Sequence, residues 1–219
     1  MKIPKAILFD LGGVLCELRG EAHMLKLLGG SQTREQMWRT WLASPAVRAH
    51  ESGQLSEMEF AKQVVVEFAL DIAPEAYLIA FRDWIIGPFP GALDLLSQTK
   101  ERYQTALLSN IGCAHWPSVE AMDLLPRVHH AFPSFKLGAV KPDKQYFLRA
   151  LDAMNLSPEE AIFLMTIKST VVVRLLLALR RIAREGCTKL GGSWWSLVCC
   201  KWRRQKFYRP RIFIRSIRI

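Results

Sequence analysis

Long apolar runs and paired cysteines are both missing from this sequence of 219 residues. No hydrophobic run approaches the roughly 20 residues that a helix needs to cross a bilayer, so we expect no transmembrane segment. The opening residues, MKIPKAILFDLGG, are too brief and too acidic for a signal peptide. Five cysteines are an odd number without Cys-x-x-Cys spacing, which makes a disulfide framework or a zinc site a poor interpretation. The sequence therefore predicts a cytoplasmic protein with reduced thiols.

Acidic residues are scarce in the last quarter of the chain. Residues 1–164 hold 16 Lys and Arg against 19 Asp and Glu, whereas residues 165–219 hold 14 against Glu185 alone. The formal net charge of +10 is therefore confined to a basic tail, and it says nothing about the partners of the preceding 164 residues. We expect no specific nucleic-acid partner for the main part of the chain.

Short apolar runs alternate with helical patterns in the rest of the sequence. KAILFD at 5–10, TALLSN at 105–110 and AIFL at 161–164 are typical of strands that are buried on both faces. A helix is predicted at 91–101, and strands that alternate with helices favour right-handed parallel crossovers. The fold class predicted is α/β, with a Rossmann-like parallel sheet.

The long stretch between the first two strands has a helical pattern of its own. Thr33 with Gln36, and Ser56 with Glu59, have the spacing of capping boxes, and apolar helical faces follow both. GPFPG at 87–91 interrupts this pattern, because proline lacks an amide donor. We divide the chain into a core (1–15 and 89–164), a small helical cap inserted at 16–88, and an atypical tail (165–219).

Polar residues with catalytic potential follow the predicted strands. Asp10 and Gly12 follow the first strand, Ser109 and Asn110 follow the second, and Lys141 precedes a helix that we expect Pro142 to open. Ligands of open parallel sheets bind beyond the carboxyl ends of the strands. We therefore expect these residues to form one site.

Three of these segments resemble the first three motifs of the haloacid dehalogenase superfamily, in the order in which that family has them: FDLGGVL, LLSN and GAVKPDKQYF. The resemblance implies a core with a helical cap of the subfamily I type inserted after the first strand. Most members of the superfamily are phosphatases and some are dehalogenases. By resemblance, the chain is an enzyme, a Mg²⁺-dependent phosphatase of a small phosphorylated metabolite that acts through an aspartyl phosphate.

The resemblance also implies a role for each residue. Asp10 would be the nucleophile and, with the backbone carbonyl of Gly12, would bind the metal, because a carboxylate can attack phosphorus once a cation neutralises the ester. Ser109 would donate its hydroxyl to a phosphate oxygen and Asn110 would orient the substrate. Lys141 would stabilise the negative charge that accumulates in the transition state.

Two departures from the family pattern stand out. Gly12 occupies the position where family phosphatases usually carry a second aspartate that protonates the leaving oxygen. MTIK at 165–168 replaces the two acids of the fourth motif, which would complete the magnesium site. The codons GAT GAC AAT AAA encode Asp-Asp-Asn-Lys, and loss of their first G yields Met-Thr-Ile-Lys when a G follows. We therefore hypothesise that a frameshift produced residues 165–219 and that the last part of the core is disrupted.

Two alternative functions remain open. A dehalogenase of 2-haloacids would use the same aspartate nucleophile without magnesium. Separately, the tail interleaves arginines with aromatic residues such as Trp194, Trp195 and Trp202, a mixture that binds RNA or anionic membranes in other proteins. A protein of that kind would bind without turnover.

Overall fold

The computed structural model describes residues 4–30 and 32–166 together with the backbone of residues 212–216. Predictions that concern residues 167–211 and 217–219, including the foreign origin of the tail and its binding of RNA or membranes, lie outside the described residues. The strands are β1 (Ala6–Asp10), β2 (Cys16–Leu18), β3 (Ile85–Pro88), β4 (Gln104–Ser109), β5 (His130–Pro133), β6 (Ala161–Thr166) and β7 (Ile212–Ser216). The α-helices are α1 (Gly20–Leu27), α2 (Arg34–Ala43), α3 (Pro45–Glu51), α4 (Glu57–Glu67), α5 (Pro74–Arg82), α6 (Ala92–Lys100), α7 (Trp116–Glu120), α8 (Ser134–Leu137) and α9 (Lys144–Ala153).

Four parallel strands in the order β5-β4-β1-β6 form the main sheet, and β7 pairs antiparallel with β6 at one edge. β1 lies in the middle, and its residues 6–9 are buried because helices cover both faces of the sheet. Asp10 pairs in register with Leu108, so the carboxyl ends of β1 and β4 lie side by side. The predicted α/β class and parallel sheet are confirmed.

The positions of the apolar runs predict both ends of β1, β4 and β6 to within two residues. The sequence patterns missed β5, because HAFP has only four residues, begins with histidine and ends in proline. Its pairing with β4, a tertiary contact, makes it a strand. The helix after Lys141 begins at Lys144 rather than at Pro142, since the amide of Asp143 donates to the carbonyl of Val140 and closes a turn there.

The chain between β2 and β3 forms a helical lobe, comprising α1 to α5 and joined to the sheet by the antiparallel β2–β3 ribbon. Both capping boxes are present, at the starts of α2 and α4. The lobe buries its own aromatic cluster, which is separate from the apolar clusters on the two faces of the sheet. Trp41, Phe60, Tyr77, Phe81 and Trp84 are its large aromatic members. Each buried ring of this kind stabilises the fold by about 2 kcal/mol, so the lobe has a core of its own.

None of the helices in the described ranges is both long and apolar enough to span a membrane.

Candidate active site

Asp10 and Lys141 form an ion pair at the carboxyl end of β1. Lys141 Nζ lies 2.7 Å from Asp10 Oδ1, and the two side chains are 12% and 16% exposed. The same ammonium donates to the carbonyl of Leu108 at 2.9 Å and lies 5.3 Å from the ring centroid of Phe163. The lysine is thus fixed by charge, hydrogen bond and ring, and one edge of the pair remains open to solvent.

Asn110 fixes the backbone of Lys141 from both sides. Its Nδ2 donates to the Lys141 carbonyl at 2.9 Å, and its Oδ1 accepts from the Lys141 amide at 2.7 Å. A primary amide can make both bonds at once because it carries a donor and an acceptor. Asn110 therefore positions the lysine, while its role in substrate orientation stays a prediction.

Ser109 and Gly12 lie beside the ion pair. Ser109 is buried at the end of β4, with its hydroxyl 3.4 Å from the Asn110 carbonyl, which is a long hydrogen bond. Gly12 follows β1, and a Cβ at this position would lie 2.7 Å from Cδ1 of Leu18. The place of the missing second aspartate is thus partly filled by a side chain of the β2–β3 ribbon. The structure brings all five predicted residues to one edge of the sheet.

Glu51 is a site residue that the sequence analysis missed. It ends α3 in the lobe, is half-buried, and lies near Asn110, whose side chain opposes the rise in the pKa of its carboxyl. One signal could have found it: a carboxylate in the last turn of a helix faces the negative end of the helix dipole, where basic residues are favoured. An acid at such a position is unfavourable for the helix unless tertiary contacts compensate for it.

The electrostatics of the site centre on Glu51. Burial raises the pKa of its carboxyl to about 7, against the opposing effects of the Lys141 charge and the Asn110 hydrogen bond, and Asp10 raises it further. Burial also raises the pKa of Tyr146 on α9, whose hydroxyl donates to the Phe132 carbonyl at 2.6 Å. The site thus combines a lysine cation with a carboxyl that carries a proton for part of the time at neutral pH.

A magnesium ion fits the oxygen donors of this edge, although the described residues contain no group of three His, Cys, Asp or Glu that could hold a metal. Oδ1 of Asp10 accepts from the Leu11 amide and from Lys141, so Oδ2 is the atom that a cation would use. Mg²⁺ is often held by one or two carboxylates, with water and substrate phosphate completing the shell. Asp10 and the Gly12 carbonyl suit such a site. Met165 and Thr166 in β6 carry no carboxylate, and residues 167–168 lie outside the described ranges.

Comparisons with known proteins identify a family and similar folds. The model of the haloacid dehalogenase-like hydrolase family matches residues 4–164. Among solved structures, an enzyme of this family from Bacteroides thetaiotaomicron superposes with a TM-score of 0.60 at 23% identity, covering 74% of this chain and 84% of that one. Its complex with magnesium and inorganic phosphate superposes with a TM-score of 0.58 at 21% identity, covering 73% and 83%. A family member from Porphyromonas gingivalis gives 0.57 at 22% identity, covering 74% and 82%. At these identities the structures show a shared fold.

Proposed function

Because this chain belongs to the haloacid dehalogenase-like hydrolase family, we propose that it hydrolyses the phosphate ester of a small metabolite, with Asp10 as nucleophile. The observation that carries the proposal is the 2.7 Å contact between Lys141 Nζ and Asp10 Oδ1 at the carboxyl end of the central strand. This arrangement aims a carboxylate at the ligand-binding edge of a parallel sheet and puts a fixed cation beside it. We include a cytoplasmic location in the proposal, because Cys16 and Cys113, the cysteines of the described ranges, are free thiols.

The chemistry divides into two displacements at phosphorus. A carboxylate oxygen of Asp10 attacks, the bond to the ester oxygen breaks, and an aspartyl phosphate forms. Lys141 and the Ser109 hydroxyl stabilise the charge on the phosphoryl oxygens during both steps. A Mg²⁺ ion held by Asp10 and the Gly12 carbonyl would neutralise negative charge on the phosphate ester and so reduce its repulsion of the Asp10 carboxylate. Water then displaces Asp10 and releases inorganic phosphate.

The Bacteroides relative supports the proposal. That protein was solved with magnesium and inorganic phosphate, and it shares the fold that places Asp10, Ser109 and Lys141 at one edge here. Phosphate is the product that the proposed reaction releases. The ester is expected to be small, since Lys141 and Asp10 are largely covered.

Turnover of an aryl phosphate with added Mg²⁺ tests the proposal. D10N is expected to abolish phosphate release, while D94N, which alters an exposed aspartate on α6, is expected to keep it. Rapid acid quenching should leave a phosphoryl group on the peptide that contains Asp10. Phosphate release that persists in D10N contradicts the proposed mechanism.

A dehalogenase is the second candidate, and Gly12 is the observation in its favour. A halide leaves as an anion and needs no proton donor, so the absence of an aspartate at position 12 would cost such an enzyme nothing. A solved dehalogenase shares the fold, with a TM-score of 0.52 at 17% identity, covering 74% of this chain and 76% of that one. Release of halide from a 2-haloacid in the presence of a chelator would favour this function over the phosphatase.

A further inference from the structure

A leucine of the β2–β3 ribbon lies against the loop that follows the nucleophile. The chain turns tightly after β1, where the amide of Cys16 donates to the Leu11 carbonyl at 2.9 Å and the amide of Gly13 to the Cys16 carbonyl at 2.8 Å. This turn starts β2 at Cys16 and returns Leu18 to Gly12. A Cβ on Gly12 would lie 2.7 Å from Cδ1, 3.6 Å from Cγ and 3.9 Å from Cδ2 of Leu18. The leucine side chain therefore covers this side of Gly12.

A β-bulge sets the direction of the Leu18 side chain. Leu18 pairs with Ile85, although Gly87 pairs with the residue just before Leu18. Ile86 is therefore the extra residue of the bulge, and it is left 51% exposed. A bulge increases the local twist of a ribbon and re-aims its side chains, and bulges are frequent next to active sites. The ribbon thus has a local device that turns Leu18 towards the site loop.

Leu18 stands apart from the hydrophobic core. Three apolar clusters occupy the lobe and the two faces of the sheet, and within the described ranges Leu18 belongs to none of them. It is half-buried, whereas Cys16 and Glu17 before it in β2 are buried and exposed. An apolar side chain that is covered by a site loop, and not packed into a core, is available to contact a ligand.

The position of Leu18 corresponds to the leaving-group side of the proposed reaction. In an in-line displacement the leaving group departs on the side away from the nucleophile, here Asp10 at the end of β1. The ribbon runs from this edge of the sheet to the lobe, so a group that leaves the edge passes beside it.

We propose that Leu18 is a specificity-determining residue that contacts the leaving group, and that the substrate is a phosphate monoester with an aryl or alkyl group next to its ester oxygen. The inference rests on the proposed phosphatase function and narrows its substrate class. The phosphate end of such an ester meets Lys141 and Ser109, whereas its carbon end meets the methyl groups of Leu18.

Two physical effects make this surface selective. Each methylene group that is shielded from water raises affinity about fourfold, so apolar atoms gain from contact with Leu18. A hydroxyl group of a sugar phosphate or of glycerol phosphate would lose water at the same place, and leucine offers it no hydrogen bond in exchange. The site should therefore discriminate against leaving groups that carry several hydroxyls.

Binding of two phosphonates to the full chain with added Mg²⁺ tests this inference without turnover, because the displacement does not cleave a carbon–phosphorus bond. Calorimetry should show that phenylphosphonate binds about tenfold or more tightly than 2,3-dihydroxypropylphosphonate. L18N keeps the branched shape of leucine without its apolar surface, so it should lower this ratio about tenfold. L18M stays apolar and should keep the ratio. L42N makes the same change at a leucine of α2 that is 62% exposed, and it should keep the ratio too.

Three results would overturn the inference. These are a wild-type ratio near one or no binding of phenylphosphonate, an unchanged ratio in L18N, and an equal loss of the ratio in L18N and L18M, since the last result would make the role of the side chain structural.

A double variant tests the contact itself. Gly12 has no left-handed φ, so G12A is compatible with the backbone, and its Cβ should displace the end of the Leu18 side chain. L18N should therefore lower the phosphonate ratio less in G12A than in the wild type. Additive effects of G12A and L18N would contradict the contact.

Turnover separates a failure of this inference from a failure of the proposed function. L18N should lower kcat/KM for phenyl phosphate about tenfold and change that for glycerol phosphate little. D10N should abolish the release of phosphate from both esters, so its result judges the proposed function. The phosphonate ratios judge Leu18 in either case, and equal losses on both esters in L18N would contradict its role in specificity.

Discussion

Replacing Lys141 with methionine is expected to destabilise the fold as well as to remove the cation of the site. The substitution keeps most of the side-chain volume, so the change isolates the charge. It leaves the Asp10 carboxylate, only 16% exposed, without its partner at 2.7 Å, and it leaves the Leu108 carbonyl without a donor at 2.9 Å.

The magnitude follows from the burial of the pair. Removing one partner of a fully buried ion pair costs about 3–5 kcal/mol, because an uncompensated charge stays behind. The residual exposure of Lys141 and Asp10 lets water reach the carboxylate, so we expect K141M to lower the free energy of unfolding by about 3 kcal/mol. D10N/K141M, which removes both charges, should recover about 2 kcal/mol of the summed single losses.

Urea unfolding of wild type, both single variants and the double variant, fitted with a common m-value, measures this coupling. K144M provides the control, since Lys144 is exposed three residues further along the same segment and should change stability by less than about 0.5 kcal/mol. A loss below about 1 kcal/mol in K141M, or additive losses in the double variant, would refute the view that this pair is buried and mutually dependent.

Two further predictions concern the contacts between the lobe and the sheet. Burial lowers the pKa of His115 to about 4, and its Nε2 donates to the Phe81 carbonyl at 2.6 Å. Below about pH 6.5 the unfolded chain therefore binds more protons at this residue than the folded chain does. The free energy of unfolding of the wild type should fall by up to about 3 kcal/mol between about pH 6.5 and pH 4. H115Q keeps a donor without titrating, so its free energy of unfolding should fall less than that of wild type over this pH range, and only the share due to other buried histidines such as His50 should remain. Equal falls in the two proteins would contradict this prediction. G112A should push α3 off the site through His50 and reduce turnover of an aryl phosphate, whereas E75Q, which changes an exposed glutamate on α5, should not. Equal rates in these two variants would contradict the docking of α3.

Much of the fold is visible in the sequence because local patterns coincide with the tertiary result. The run from Ala6 to Phe9 is apolar on both faces and becomes the central strand, as burial between two layers of helices requires. The capping boxes at Thr33 and Ser56 form where their spacing predicts them, because a cap needs only its own first turn. Asp10 and Ser109 end neighbouring parallel strands, which share an edge, so their order along the chain was sufficient to bring them together, whereas Lys141 reaches Asp10 from the loop between α8 and α9.

Glu51 could not be predicted in the same way, because its position depends on contacts distant in sequence. Asn110 lies 59 residues further along the chain, and nothing in the local pattern around Glu51 marks it as a partner. The docking of α3 depends on the absence of a side chain at Gly112, a property that has meaning only when His50 is already in place. Such mutual fits are set by packing rather than by periodicity.

The β2–β3 ribbon has a consequence for the order in which the chain folds. β1 and β4 pair although about a hundred residues separate them, and closing a loop of that length has an entropic cost. Once the ribbon joins Cys16 to Pro88, the effective loop shrinks to about thirty residues, which lowers that cost by about 1 kcal/mol, or roughly fivefold in rate. We therefore expect the lobe, with its own aromatic core, to form first during refolding and to act as a clamp that brings the strands of the sheet within reach of each other.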